Sequence, residues 1–216
     1  MCVMDAAARQ AEVDGLLRRY PHLRSAPGGQ GSWPGHQGAS AGDGTPDGRA
    51  GGTRPTHPAL RGCEEVRWGD IPGCPSDVPA VLHGLFDPAA APDAARVLTN
   101  VVVAGVFRLG EAMPDALPFV LRLAVDPGAP ARARLLDLVL VAAELCRPVD
   151  PGNPREVLLL GHEADRPERA RCRAVFREEA ALVRALLDDP TAWEPADDED
   201  RAVLQELVGG APAGRG

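Results

Sequence analysis

Two stretches of the chain, SDVPAVLHGLFDP at residues 76–88 and DALPFVLRLAVDP at residues 115–127, are nearly alike and decide the fold. At an offset of 39 residues they share a proline, a Val-Leu pair two residues later and a closing Asp-Pro. A proline is well tolerated in the first turn of a helix, because an N–H there has no helical partner anyway. We therefore interpret Pro79 and Pro118 as marking the starts of two equivalent helices, each ended by the Asp-Pro turn.

The similarity continues beyond the turns. With one residue dropped, APDAARVLTNVVVAGVF at residues 91–107 aligns with APARARLLDLVLVAAEL at residues 129–145. Each unit is therefore predicted to contain a short helix, a turn and a longer helix. A period of about 40 residues with two helices per unit is typical of HEAT and armadillo repeats. The segment EAALVRALLDDP at residues 179–190, followed by RAVLQELV at residues 201–208, predicts a third unit; the alternative is an unrelated helical bundle.

The apolar residues of these units are expected to form one core. Aromatic residues make up only 4% of the chain, so the core must consist of leucine, valine and alanine, which favours packed helices. One helical pair cannot bury its apolar face alone, so successive pairs should stack and form an all-α superhelix. The predicted seam between the helices consists of Val81, Leu82, Leu98, Val120, Leu121, Leu135, Leu136 and Leu140.

Other parts of the chain have different compositions. Residues 1–24 are expected to form one amphipathic helix that Pro21 ends, and docking of this helix on the repeats stays open. Residues 25–62, most of them Gly, Pro, Ser and Thr, predict a disordered linker because little in them can be buried. The helical repeats are assigned to residues 63–208, and residues 209–216 to a disordered tail.

Composition also restricts the function. The net charge of −8 disfavours nucleic-acid backbones and anionic membranes as partners. The five cysteines contain no CxxC spacing, which favours reduced thiols in a cytoplasm over a disulfide framework. The N-terminus does not read as a signal peptide, and the longest apolar run is too short to span a bilayer. We expect a soluble cytoplasmic protein without a cofactor.

The chain resembles the HEAT-like repeat proteins of the actinobacterial type. The resemblance rests on Trp68 and Gly73, on LPFVLRLA at residues 117–124, and on LLDDP followed by RAVLQEL. It covers roughly residues 66–146 and, more weakly, 171–208. Where the family often carries His-Gln-Gly, this chain has Val103-Ala104-Gly105. The resemblance implies an α-solenoid that binds other proteins, and some relatives are similar to immunity proteins encoded beside secreted toxins.

Few residues suggest catalysis or metal binding. His162-Glu163 is like the His-Glu pairs of HEAT-like hydroxylases, but it is a single pair, and Arg166 stands where HExxH would have its second histidine. A solvated helix end is the favoured reading. Cys146 and Cys172 could be nucleophiles, but a lone cysteine in an apolar helix is more often a core residue. The acidic insert at residues 194–200 lacks the ligand spacing of a calcium loop and is read as a flexible solubilising loop.

The arginine segment, residues 166–184, contains six arginines. The segment could contact nucleic acid, but glutamates interleaved at helical spacings favour an ion-paired, solvated helix face. If the segment is a binding site, an acidic protein partner fits it better than nucleic acid does. The candidate partner-binding residues are Arg169, Arg173 and Arg177, together with Trp193 as an exposed anchor. No catalytic, cofactor or metal residue is assigned.

These observations favour a non-enzymatic protein-binding module, either an immunity or a regulatory protein. The alternative is an enzyme or a nucleic-acid-binding protein on the same scaffold, using the arginine segment. The alternative predicts a concave pocket with convergent polar groups or a continuous basic groove. The binding reading predicts neither.

Overall fold

A computed structural model describes residues 4–24, 57–193 and 198–209 of the 216-residue chain. The described part is mostly helical, as the predicted all-α class requires, with one small two-stranded hairpin. Its helices are α1 (Ala6–Arg19), α2 (Val78–Gly84), α3 (Ala91–Val102), α4 (Met113–Val125), α5 (Arg132–Leu145), α6 (Pro154–Leu160), α7 (Pro167–Glu178), α8 (Ala180–Asp188) and α9 (Asp198–Gly209). The hairpin consists of β1 (Val103–Gly105) and β2 (Arg108–Leu109).

The three predicted helical pairs are present as neighbouring helices. α2 packs on α3, α4 on α5, and α8 on α9. Between pairs, α3 contacts α5, α5 contacts α9, and α4 contacts α8, while α7 packs against α4, α5, α8 and α9. Seven of the eight predicted seam residues are buried, and Leu140 is partly buried against the same core. Period and apolar pattern therefore predicted both the helical pairs and their buried faces.

The N-terminal helix α1 docks on the first helical pair. Val13, Leu16 and Leu17 are buried on its inner face. At the end of the helix, Arg19 forms an ion pair with Asp93 of α3 at 2.5 Å, and the Tyr20 hydroxyl donates to the Ala89 carbonyl at 2.9 Å. Apolar burial and polar contacts together therefore fix α1 against α3.

Pro118 does not start a helix as its alignment with Pro79 predicts. α2 begins at Val78, so Pro79 is in its first turn, whereas α4 begins at Met113 and contains Pro118 in its interior. A second proline, Pro114, occupies the first turn of α4 instead. The interior position leaves the Pro114 carbonyl without its usual helical donor, because Pro118 has no N–H.

The helix predicted through Phe107 ends at Val102, and the chain turns into the β1–β2 hairpin. The Val102 carbonyl accepts the backbone N–H of Gly110 at 2.8 Å. A Cβ on Gly110 would lie 2.9 Å from that carbonyl oxygen, so the close return of the chain needs glycine. Successive valines followed by Gly105 form a poor helix, which allows the hairpin to replace the last helical turn.

Two other boundaries differ from the sequence-based assignment. Residues 57–62, assigned to the linker, include a 3-10 turn in which Ala59 and Leu60 are buried in the core. The last helix begins at Asp198 rather than Arg201, because acidic residues in a first turn interact favourably with the helix dipole. Residues 25–56 of the predicted linker, 194–197 of the acidic insert and 210–216 of the predicted tail lie outside the described residues.

Candidate functional site

Two arginines of the arginine segment are used inside the molecule. Arg169 is only 3% exposed, and its Nη2 donates to the Arg147 carbonyl. Arg173 Nη1 donates to the Cys146 carbonyl at 2.5 Å. Both carbonyls lie just beyond the last residue of α5, where helix carbonyls lack helical partners and where positive charge is favourable. Arg169 and Arg173 therefore cap α5 rather than form the exposed face that the sequence suggested.

Glu163 provides the negative charge between these two arginines. Its carboxylate forms an ion pair with Arg173 and lies 3.9 Å from Arg169 Nη1. Burial lowers the pKa of Arg169, and the Glu163 carboxylate opposes this effect. Within the described residues, Arg169 Nε and Nη1 and Glu163 Oε2 are buried without a hydrogen-bond partner. Glu163 is thus the main negative charge that supports the charge of Arg169, and the adjacent Glu168 contributes less.

The other two candidate partner-binding residues differ in exposure. Arg177 is exposed, its Nε donating to the Arg173 carbonyl at 3.1 Å, and its contact with a partner stays a prediction. Trp193 is half-buried, its Nε1 donating to the Leu186 carbonyl at 2.6 Å, with the Arg201 guanidinium 5.9 Å from its ring centre. Trp193 is therefore fixed at the end of α8, because a carbonyl at a helix terminus is available to its indole N–H.

The side chains of His162 and Glu163 point to different surroundings, so the two residues do not act as a pair. His162 is exposed before a 3-10 turn, while Glu163 points to Arg173. Cys146 and Cys172 are both fully buried, as predicted for core residues. Burial raises the pKa of Cys146 to about 12 and raises that of Cys172 as well, so both thiols are protonated near neutral pH. A thiol is a poor nucleophile compared with a thiolate.

Helix α6 displays apolar side chains to solvent. All seven of its residues are exposed or half-exposed, with Leu158 at 83% and Leu159 at 45%. Asn153 caps the helix by accepting the N–H groups of Arg155 and Glu156, and Glu156 accepts the Asp150 N–H at 3.1 Å. These local bonds resemble a capping box, except that Glu156 accepts the Asp150 N–H and the Asn153 side-chain amide instead of the backbone N–H of the cap residue, and they hold the start of the helix. The run from Val157 to Leu160 is apolar, but a hydrophobic pattern does not show whether another helix covers it.

The β1–β2 hairpin displays a second apolar group. At its tip Val106 is 57% exposed and Phe107 49% exposed. These two residues lie in the stretch that the sequence placed in a helix. Because the chain turns at the tip, their side chains are presented to solvent and not to the core.

Two grooves on the surface are lined by charged residues in opposite-sign pairs. One, of about 410 Å³, lies between α1 and α3, and the other, of about 310 Å³, lies beside the start of α4. The pairs are Arg19–Asp93 and Arg96–Glu12 in the first groove, and Arg171–Asp115 and Arg67–Asp70 in the second. Three of these pairs join separate helices, and Arg67–Asp70 is a local pair three residues apart.

Sequence reasoning did not identify one group of side chains. Cys63, Glu64 and His83 bring a thiol, a carboxylate oxygen and a ring nitrogen within 4.8 Å of one another. Cys63 and Glu64 lie in successive turns after residue 57, and His83 lies in α2. A separation of twenty residues between a Cys-Glu dipeptide and a histidine matches no ligand motif, so the sequence carried no usable signal for this group.

No protein-family model, curated protein or solved structure matches the chain. Among the described residues, no helix combines the length and the apolar character needed to cross a membrane.

Proposed function

We propose that the protein is a non-enzymatic protein-binding module of stacked HEAT-like helical pairs, acting as an immunity or regulatory protein. The observation that carries the proposal is the apolar surface of α6, where Leu158 is 83% and Leu159 45% exposed. A large apolar side chain that is fully buried on binding contributes about 1.5–3 kcal/mol. Adjacent exposed leucines on a capped helix are therefore suited to contact a partner protein.

The packing of the helices supports the scaffold part of the proposal. α3, α5 and α9, the second helices of the three pairs, contact one another in order. This is the neighbour-to-neighbour packing that repeat proteins use. α6 and α7 lie in the chain between the second and third pairs, so α6 interrupts the regular succession and extends an apolar surface from it.

The arginine contacts count against the alternative of a nucleic-acid-binding protein. A phosphate backbone needs several cationic side chains that are free to reach it. Arg169 is buried, Arg173 is bound to Glu163 and the Cys146 carbonyl, and Arg171 is paired with Asp115 at 2.7 Å. Three of the arginines that this alternative requires are thus engaged by the protein itself.

An affinity capture with variants tests the proposal. The tagged full-length protein, its L158E/L159E variant and an R155A variant as a control on the same helix are incubated with nuclease-treated cell extract. Retained proteins are identified by mass spectrometry, and the affinity of the purified partner is then measured. We expect one stoichiometric protein that the wild type and R155A bind and that L158E/L159E binds at least about 30-fold more weakly, the loss of a typical interface hot spot.

Two results would count against this function. If the partner binds L158E/L159E as tightly as the wild type, α6 is not its contact surface. If the wild type retains only nucleic acid when nuclease is omitted, the alternative becomes the better description, and R177A should then weaken that binding.

A further inference from the structure

The Cys63–Glu64–His83 group has the donor spacing of a metal site. His83 Nε2 lies 3.4 Å from Glu64 Oε1, and the Cys63 Sγ lies within 4.8 Å of the donor atoms of both. In a tetrahedral zinc site with bonds of about 2.0 to 2.3 Å, neighbouring donor atoms are about 3.3 to 3.6 Å apart. The nitrogen and oxygen are already at this separation, and the sulfur needs to approach by at most about 1.3 Å.

The backbone around the group is fixed. The Trp68 indole N–H donates to the Cys63 carbonyl at 2.9 Å, and Trp68 is itself only 2% exposed. His83 lies in α2, and the two residues before it, Val81 and Leu82, are fully buried and anchor this helix in the core. Two anchored pieces of backbone therefore present the donor atoms to one another, which reduces the cost of ordering them around an ion.

Burial differs sharply among the three donors. Cys63 is fully buried, whereas the side chains of His83 and Glu64 are 22% and 59% exposed. An ion bound between them would have sulfur on its protein side and an opening toward solvent on the other. Three protein ligands with one open position are the arrangement of a zinc site whose fourth ligand is water or a group from another molecule.

The donor types select the metal. Magnesium and calcium prefer oxygen ligands, and a fully buried thiol is a poor ligand for either ion. Zinc accepts thiolate, imidazole and carboxylate together. Burial raises the pKa of Cys63 to about 11, so the ion must displace the thiol proton when it binds.

We propose that Cys63, Glu64 and His83 bind one Zn²⁺, with water as the fourth ligand. The ion links the segment that follows residues 25–56 to α2 of the first helical pair. It thereby ties the turns at the start of the helical repeats to the first helical pair. The site is separate from the apolar surface of α6, and neither proposal depends on the other.

Metal binding to the full-length protein tests this proposal directly. The purified, metal-free protein is titrated with Co²⁺, which reports a sulfur ligand through a thiolate-to-cobalt charge-transfer band, and Zn²⁺ is then added in competition. The ligand variants are C63S, E64Q and H83N. The matched controls are C74S, a half-buried cysteine, and H162N, an exposed histidine beside a glutamate.

We expect a wild-type endpoint of one Co²⁺ per chain with the thiolate band, and displacement of Co²⁺ by one Zn²⁺. C63S should lose the band, E64Q and H83N should bind at least about tenfold more weakly, and both controls should titrate like the wild type. At equal zinc concentration, Zn²⁺ should also raise the Tm of the wild type and of the controls by more than that of H83N.

Two results would overturn the proposal. One is a wild-type protein that shows no thiolate-to-cobalt band. The other is an H83N or E64Q variant that binds cobalt as tightly as the wild type. Because Glu64 and His83 are partly exposed, these two variants are expected to fold even if C63S is destabilised, and circular dichroism on each variant verifies this.

Discussion

Neutralising Glu163 should destabilise the protein more than replacing Arg169, the buried arginine beside it, with an uncharged residue. Glu163 lies between Arg173 and Arg169, and the Arg169 side chain is only 4% exposed while that of Glu163 is 36% exposed. Removing one partner of a buried pair costs about 3–5 kcal/mol, because the other charge remains buried without compensation. Partial exposure of Glu163 and Arg173 reduces this penalty, so we expect the E163Q substitution to lower the free energy of unfolding by about 2–3 kcal/mol.

The R169M substitution should cost only about 1 kcal/mol. It removes the buried charge itself, and Glu163 keeps its ion pair with Arg173. The main loss is the hydrogen bond to the Arg147 carbonyl, worth about 1.5–3 kcal/mol for a charged donor, and removal of the desolvation cost of the buried Arg169 cation offsets part of it. When R169M is already present, adding E163Q should therefore lower the free energy of unfolding by about 1–2 kcal/mol less than E163Q does in the wild type.

Urea unfolding at neutral pH, followed by circular dichroism, measures these differences. The matched control is E206Q, which removes the same charge from an exposed pair with Arg147 at 3.8 Å and should change the stability by less than about 0.5 kcal/mol. Two outcomes would contradict a role of Glu163 in supporting Arg169: R169M more destabilising than E163Q, or E163Q no more destabilising than E206Q. Either result would mean that Arg169 does not require the Glu163 charge.

Three further predictions concern helix geometry, core packing and pH. P118A should raise the free energy of unfolding by about 1–3 kcal/mol, because it restores an interior helical hydrogen bond of α4. P79A, in the first turn of α2, should change the free energy of unfolding by less than about 1 kcal/mol. Equal effects of the two substitutions in urea unfolding would contradict this prediction. L121A should cost about 2–5 kcal/mol in the same assay, because Leu121 is fully buried, and a loss below about 1 kcal/mol would argue against the core described above. The Arg19 hydrogen bond lowers the pKa of Asp93. The ionised Asp93 should therefore stabilise the fold above about pH 4, and this stabilisation should be lost as the pH falls through the lowered pKa. In unfolding measured from neutral pH to about pH 3, the free energy of unfolding should fall less steeply with pH in D93N than in the wild type.

The sequence predicted the helical pairs because their signal is local and repeated. Five matched positions at one offset predicted α2 and α4, and the apolar spacing predicted the buried faces. The β1–β2 hairpin was not predicted, because VVVAGVF has enough apolar residues to continue a helix and the deciding contact is between Val102 and Gly110. A backbone approach of this kind has no signature in a hydrophobic pattern.

Side-chain partners were harder to predict because they come from distant parts of the chain. Arg169 binds a carbonyl 22 residues earlier, at a helix end whose position a sequence pattern fixes only within a few residues. The glutamates interleaved with the arginines suggested an ion-paired surface, but the end of α5 offers unsatisfied carbonyls that attract a cation more strongly. Cys63 and His83 likewise meet only because the turns after residue 57 pack beside α2.

The segment between the second and third helical pairs connects stability to the proposed function. Glu163 and the two arginines fix the start of this segment's second helix, α7, against the end of α5. α6 precedes Glu163 and is held by its Asn153 cap and the Glu156 hydrogen bonds, so its leucines are not needed for the core. E163Q should therefore weaken the fold, whereas L158E/L159E should weaken partner binding at unchanged stability. If the leucine variant also lowered the free energy of unfolding by more than about 1 kcal/mol, α6 would be part of the core and its exposed face would not be a binding surface.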